Sequence, residues 1–150
     1  MDTIASFTVD HTKIIPGVYI SRIDGDVITF DIRMKKPNGG EYLDYAVIHT
    51  IEHLAATYVR NSEYKNNILY FGPMGCRTGF YLLTQNLSCE NALDLIKNTF
   101  KFISEYEGDI PGVSEIECGN YLEHNMSLAK DEAKQYVKKF NELKPENMQY

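Results

Sequence analysis

Two histidines four residues apart, His49 and His53, are the clearest candidates for chemistry in this 150-residue chain. They lie in the segment HTIEH (49–53), where Glu52 directly precedes the second histidine. In an α-helix, residues i and i+4 project from one face a turn apart, so both imidazoles could bind one metal ion. Glu52 could then carry protons without binding the metal, as in inverted zinc motifs of the pattern H-x-x-E-H. A solvated helix surface whose histidines bind no metal is the alternative.

A third ligand must come from elsewhere in the chain, because two histidines do not complete a site. The candidates are Cys76, Cys89, Cys118, His11 and His124. Cys89 falls in the first turn of a predicted helix and is better explained as a small apolar residue. Residue types alone leave the other four open. An odd count of three cysteines gives no disulfide framework, so we expect reduced thiols that can bind metal or react.

Composition limits the class of protein. With 43% hydrophobic and 24% charged residues, the chain fits a single compact domain over residues 1–150. A net charge of −6 disfavours nucleic acid as a partner, since a nucleic-acid-binding protein must present a basic surface to phosphates. No signal peptide and no apolar segment of membrane-spanning length is visible. We therefore expect a cytoplasmic, soluble protein that acts on a small molecule.

Alternating apolar and polar residues predict the strands. Residues 27–34 place their apolar side chains on one side and Arg33 on the other, which is typical of a half-buried strand. Residues 18–23 can pair with it across a tight turn at 24–26. Two further strands are predicted on either side of the turn at 72–76, over residues 67–71 and 78–84.

Helical spacing predicts three helices. The first runs from Asp44 to Arg60 and contains HTIEH, and the second follows a capping Ser88 and continues through Tyr106. A third, more charged helix begins at Ser127 and runs to about residue 143. Strands in hairpins with interspersed helices predict an α+β fold, an antiparallel sheet with helices packed on one face.

Five segments in collinear order resemble the S-ribosylhomocysteine lyase (LuxS, autoinducer-2 synthesis) family. They are SFTVDHT (6–12), FDIR (30–33), HTIEHL (49–54), PMGCRTGFY (73–81) and CGNY (118–121). The resemblance implies a homodimer with active sites at the interface, where the segment around Ser6 and Phe7 comes from the neighbouring chain. It also implies one divalent metal per chain, iron(II) in the cell and zinc or cobalt after purification.

The resemblance also assigns roles to individual residues. It implies the metal ligands His49, His53 and Cys118, the catalytic groups Cys76 and Glu52, and the substrate-binding residues Ser6, His11, Arg33 and Gly119. Ordinary structural roles stay open for three of the substrate-binding residues. A histidine in a turn, a solvated arginine and a glycine in a turn would look the same in the sequence as His11, Arg33 and Gly119.

The family's reaction explains why these residue types are needed. S-ribosylhomocysteine is a thioether whose C–S bond is activated only when a carbonyl reaches the neighbouring carbon. Two successive isomerisations move that carbonyl, and β-elimination then releases homocysteine and 4,5-dihydroxy-2,3-pentanedione, the autoinducer-2 precursor. Each proton transfer needs a positioned acid or base, and the metal stabilises the developing negative charge.

The sequence also departs from the family pattern, and other functions remain to be weighed. Tyr70, Phe71 and Gly72 stand where the family commonly has an acidic residue, an aliphatic residue and a serine. A zinc peptidase with the inverted motif would share the HTIEH helix, but it would need a downstream glutamate ligand and a larger domain. A non-catalytic metal-binding module would not need Cys76 and Glu52.

Overall fold

The computed structural model describes all 150 residues as one antiparallel sheet and three α-helices. The strands are β1 (Gly17–Asp24), β2 (Val27–Arg33), β3 (Ile68–Pro73) and β4 (Gly79–Gln85), in the order β1-β2-β4-β3. The helices are α1 (Tyr45–Arg60), α2 (Cys89–Glu105) and α3 (Met126–Val137). The predicted α+β class and antiparallel sheet are therefore confirmed. None of the helices combines the length and apolar character needed to cross a bilayer.

One face of the sheet forms the core with the helices. Ile32 pairs with Phe80, and Phe30 pairs with Leu82, so four fully buried side chains stand side by side in the middle of the sheet. Helices α1, α2 and α3 add their apolar stripes to the same cluster of 26 buried residues. This packing fixes α1 firmly against the sheet, and α1 carries the HTIEH segment.

The prediction of a half-buried β2 is wrong at the end of that strand. Asp31 and Arg33 point away from the helices, yet they are only 0% and 2% exposed. The end of the sequence covers them, because Tyr150 lies against this face and stacks on Tyr19 with ring centroids 5.0 Å apart. A carbonyl of the same segment, that of Met148, accepts a hydrogen bond from the Ile20 amide at 2.7 Å. The alternation of apolar and polar residues within a strand does not show that a distant segment packs over the polar face.

Polar caps set where the first two helices begin. The cap at Ser88 was predicted, whereas Asp44 was predicted as the first residue of its helix and instead caps it from one residue before. The Asp44 carboxylate accepts from the Ala46 amide, and the Ser88 hydroxyl accepts from the Asn91 amide. The third helix differs from its predicted bounds of 127–143. It begins at Met126 after an Asn125 cap and ends at Val137. Apolar residues beyond that point reach the core through a 3-10 turn (Phe140–Glu142) rather than through a continued helix.

Candidate active site

The exposed edge of α1 carries the two histidines of HTIEH on one face. Their rings meet edge to face with centroids 4.6 Å apart, as the i, i+4 spacing predicts. The opposite side of the helix is anchored by Ile51 and Leu54, which are fully buried in the core. The imidazoles of His49 and His53 are therefore held by a rigid element. They face the segment 106–125, which connects α2 to α3 without a helix or a strand.

Cys118 lies in that connecting segment, and it completes the set of candidate ligands. Its Sγ is 3.3 Å from His49 Nε2 and 3.8 Å from His53 Nε2. Two ligands of one tetrahedral ion, with bonds of about 2.3 Å to sulfur and about 2.0 Å to nitrogen, stand roughly 3.5 Å apart. The three donor atoms are thus spaced as ligands of a single metal ion are.

Main-chain carbonyls orient both imidazoles. His49 Nδ1 donates to the carbonyl of Glu123 at 2.9 Å, and His53 Nδ1 donates to the carbonyl of Pro111 at 2.7 Å. Each Nε2 is then the unprotonated nitrogen, and it faces the thiol of Cys118. Metal-binding histidines are usually fixed in this way by a second hydrogen bond.

Gly112 shapes the same part of the site and was not predicted. Its φ of 71° lies in the left-handed region that favours glycine. A Cβ there would also stand 3.4 Å from His53 Nδ1. The Pro-Gly dipeptide at 111–112 was the only signal of this turn in the sequence, and it gave no indication of the histidine that packs on it.

His124 is a fourth donor in the cluster. One donor atom from each of His49, His53, Cys118 and His124 lies within 4.8 Å of all the others. The His124 ring stacks on His49 with centroids 4.0 Å apart. Burial, followed by the charges of the two neighbouring histidines, lowers the pKa of His124 to about 4, which keeps this imidazole neutral.

The hydrogen bonds of Thr50 define which nitrogen of His124 is free. The Thr50 hydroxyl donates to the Ala46 carbonyl at 2.8 Å, so it can only accept from His124 Nδ1, 3.2 Å away. His124 Nε2 is left buried with no hydrogen-bond partner. A buried nitrogen lone pair without a partner, beside a thiol and two oriented imidazoles, fits a site that binds a metal.

The donor set also indicates which metals suit the site. A soft thiolate with neutral imidazoles favours zinc, iron(II) or cobalt over magnesium or calcium, which prefer oxygen. Among the candidates for the third ligand, the structure brings Cys118 and His124 to His49 and His53. Cys76, Cys89 and His11 lie outside this cluster.

Cys76 has a different environment, in the turn between β3 and β4. Its exposed thiol lies 3.0 Å from the Thr78 hydroxyl and 3.9 Å from Arg33 Nη1. Arg33 Nη1 also donates to Thr78 Oγ1 at 2.7 Å, which leaves the Thr78 proton free to point at the sulfur. A guanidinium and a hydroxyl donor therefore both lie beside this thiol.

Arg33 is therefore not a solvated surface arginine. It is buried, and it forms an ion pair with the buried carboxylate of Asp31 through both Nε and Nη2. Burial alone would lower the pKa of Arg33, but the hydrogen bond and charge of Asp31 raise it above its ordinary value. Its positive charge is thus secured next to Cys76. Sequence reasoning did not identify Asp31 or Thr78 as part of this arrangement.

Glu52 lies half-buried on α1, between the two histidines in sequence. The carboxylate makes no hydrogen bond and no ion pair within the chain. Gly119 is exposed directly after Cys118, and nothing lies within 4 Å of the position its Cβ would take. This leaves open space beside the metal ligand.

The N-terminal residues lie apart from the cluster. Ser6 is part of a 3-10 turn (Ala5–Phe7), and His11 Nδ1 donates to the carbonyl of Val9 at 2.9 Å. Neither side chain makes a hydrogen bond to the metal ligands, to Cys76 or to Glu52. The neighbouring Phe7 is 75% exposed. The predicted role of Ser6 and His11 in substrate binding therefore stays a prediction.

Comparisons with known proteins are in line with this geometry. The model of the family described as S-ribosylhomocysteinase (LuxS) matches residues 4–147. The S-ribosylhomocysteine lyase of Finegoldia magna is 48% identical over an alignment of 155 residues, gaps included, which covers 100% of this chain and 99% of the relative. That of Borreliella afzelii is 49% identical over 156 residues with the same coverage. That of Clostridium beijerinckii is 48% identical over 143 residues, covering 91% and 90% of the two chains.

Proposed function

The chain belongs to the S-ribosylhomocysteinase (LuxS) family, and we propose that it cleaves S-ribosylhomocysteine to homocysteine and 4,5-dihydroxy-2,3-pentanedione. It is a carbon–sulfur lyase with one catalytic domain over residues 1–150. The observation that carries this proposal is the Cys118 thiol at 3.3 and 3.8 Å from two oriented imidazoles on one helix face. A metal held by these donors could stabilise the negative charge that develops on oxygen as a carbonyl migrates.

The residues fit one divalent metal per chain, with His49, His53 and Cys118 as its ligands. Iron(II) is the metal we propose in the cell, and zinc or cobalt can occupy the same soft donor set. When bound, the metal acts as a Lewis acid that stabilises negative charge on the sugar oxygens. His124 borders the ligands as a neutral imidazole, so it adds no charge to the site.

Cys76 is the base that starts each isomerisation. As a thiolate it takes a proton from the carbon next to the carbonyl, and it can return that proton one carbon along the chain. Arg33 and Thr78 support this role, because the guanidinium charge and the hydroxyl donor both stabilise the thiolate over the thiol.

Glu52 is the second acid and base. Its half-buried carboxylate has no partner within the chain, and it neighbours the ligand His53 on α1. It can move the hydroxyl protons of the sugar as the carbonyl migrates. In the elimination step, a proton leaves the carbon next to the carbonyl, the C–S bond breaks, and the homocysteine sulfur takes up a proton. The elimination leaves an enol, which becomes the pentanedione when its hydroxyl loses a proton and the terminal carbon gains one. The transfers then balance without a redox change.

The working unit in this proposal is a homodimer with its active sites at the interface. Ile4 and Phe7 are 56% and 75% exposed, which gives the N-terminal segment an apolar surface that a second copy could cover. Ser6 and His11 would then bind the substrate of the neighbouring chain, with Arg33 and Gly119 lining the site from the other side. The free thiols of Cys76 and Cys118 suit a reducing, cytoplasmic location. The pentanedione product would serve autoinducer synthesis.

Release of homocysteine tests the proposal directly. The metal-loaded protein is incubated with S-ribosylhomocysteine, and new free thiol is titrated against a parallel sample of the Cys76→Ala variant. We expect one thiol for each substrate consumed with the parent protein and almost none with the variant. No release by metal-replete parent protein would refute the proposed activity. A peptidase with the inverted zinc motif is not favoured, since the third donor is the thiol of Cys118 and not a carboxylate.

A further inference from the structure

Tyr150 belongs to the same side-chain network as the thiol of Cys76. Its hydroxyl donates to Asp31 Oδ2 at 2.6 Å. The same oxygen accepts from Arg33 Nη2, while Asp31 Oδ1 accepts from Arg33 Nε at 3.0 Å. The other end of the guanidinium contacts Thr78 and Cys76. A continuous path of hydrogen bonds therefore joins the last residue of the sequence to the turn that carries the proposed base.

The path is held firmly at the Tyr150 end. The tyrosine ring stacks nearly parallel on Tyr19, with an interplanar angle of 13°. Two residues earlier, Met148 is buried and its carbonyl accepts from the Ile20 amide of β1. The phenol thus approaches Asp31 from a segment that is anchored to the edge of the sheet.

The carboxylate of Asp31 needs this donor. It is fully buried, and Arg33 is its only partner of opposite charge. The other ionisable groups around it are phenols, those of Tyr19, Tyr81, Tyr136 and Tyr150. Of these, Tyr150 donates a hydrogen bond to it. Burial, followed by the hydrogen bond to Asp31, raises the pKa of Tyr150, so the phenol remains a donor at neutral pH.

We propose that Tyr150 is a positioning residue that, through Asp31, fixes the Arg33 guanidinium against Thr78 and Cys76. The guanidinium of Arg33 contacts Asp31 through Nε and Nη2, and it contacts Thr78 and Cys76 through Nη1. Because the group is planar and rigid, its contacts with Asp31 determine where Nη1 lies. Without the phenol, Asp31 Oδ2 loses one of its two donors, and the carboxylate and guanidinium can rotate or admit water. The charge beside Cys76 is then less well placed. The inference rests on the role of Cys76 proposed above, but it concerns the ionisation of the thiol and not turnover.

Alkylation of Cys76 as a function of pH tests the inference without substrate. Metal-loaded Tyr150→Phe is treated with iodoacetamide, and modification is measured separately for the peptides that contain Cys76, Cys89 and Cys118. We expect the alkylation midpoint of Cys76 to move to higher pH and its rate at pH 7 to fall roughly three- to tenfold, because thiolate is the reacting form. Tyr19→Phe is the matched control, since its phenol donates to the Ile15 carbonyl outside the path. Its rate should stay within about twofold of the parent, because the Tyr19 phenol makes no hydrogen bond to Asp31 and its loss leaves the path to Arg33 intact.

A double-mutant cycle shows whether the effect passes through Arg33. In an Arg33→Lys background the guanidinium fork is absent, so adding Tyr150→Phe should change the Cys76 rate little. Removing Tyr150 alone, which leaves Met148 in place, should reproduce or exceed the effect of Tyr150→Phe in the parent. An unchanged Cys76 profile in Tyr150→Phe overturns the inference. So does an equal shift in Tyr19→Phe, or a full shift in the Arg33→Lys background. Failure of the proposed function would instead be an absence of homocysteine release by the parent protein.

Discussion

Replacing Cys118 with alanine separates the metal site from the proton-transfer groups. The change removes the thiolate that lies 3.3 and 3.8 Å from the two imidazole nitrogens. The hydrogen bonds that orient His49 and His53 come from main-chain carbonyls, so both imidazoles keep their direction in the variant. We therefore expect the variant to bind the metal weakly through nitrogen ligands and to remain folded around its core.

The number of ligands sets how much metal affinity the Cys118→Ala variant should lose. Sites with four protein ligands bind zinc with apparent free energies of about 10–16 kcal/mol, or about 2.5–4 kcal/mol for each ligand. At about 1.4 kcal/mol for each factor of ten, loss of one ligand should weaken binding by roughly 10²- to 10³-fold. Loss of the thiolate charge places the effect toward the upper end for a soft metal.

Competition with a chromophoric chelator measures this affinity, and elemental analysis after dialysis measures the metal content. Cys76→Ala and Cys89→Ala are matched controls, because each removes a thiol that lies outside the donor cluster. Both controls should retain one metal per chain. Full occupancy in Cys118→Ala, or metal loss in Cys76→Ala, would refute the assignment of the two cysteines.

Three further predictions concern proton transfer, the support of the site and alkaline stability. Cys76→Ala and Glu52→Gln should keep the metal while homocysteine release falls by a factor on the order of 10² or more, with intermediates accumulating only in the Glu52 variant. Thr50→Val removes a buried hydroxyl that makes three hydrogen bonds, so urea unfolding should show a loss of about 1–3 kcal/mol and chelator competition a roughly tenfold weaker metal site. The raised pKa values of Tyr136 and Tyr150 mean that the folded chain keeps protons that the unfolded chain releases. Their contribution is complete below pH about 10 and declines as the pH rises further, so urea midpoints should show no loss from these two groups up to about pH 9.5, should drop between about pH 9.5 and 11, and should drop less in Tyr150→Phe.

The sequence alone predicts the part of the site that depends on local structure. The spacing of His49 and His53 within a predicted helix places both imidazoles on one face of that helix, and the structure confirms this. Cys118 is different, because 65 residues separate it from His53 and it lies outside any helix or strand. No periodicity connects it to the helix, and only the resemblance to a family singled it out.

The errors have a common physical cause, which is tertiary packing that the local sequence pattern does not show. The sequence distance between Asp31 and Tyr150 is 119 residues, and their contact turns an alternating strand into one buried on both faces. The third helix stops early because Phe140 and the residues after it pack back toward the core in a 3-10 turn. Such tertiary contacts change the burial and the helix ends that alternation and helical periodicity predict, and a single sequence does not show them.

The carbonyls that orient the two histidines have a consequence for how this protein can change over generations. Every amino acid supplies a main-chain carbonyl, so substitutions at Pro111 and Glu123 do not delete the acceptors that fix the ligands. Genetic drift at these two positions should therefore leave metal binding intact as long as the loop keeps its path. Gly112 is the exception, since its φ of 71° lies in the left-handed region that favours glycine. Mutational scanning of this loop should accordingly find tolerance at 111 and 123 beside a strong preference for glycine at 112.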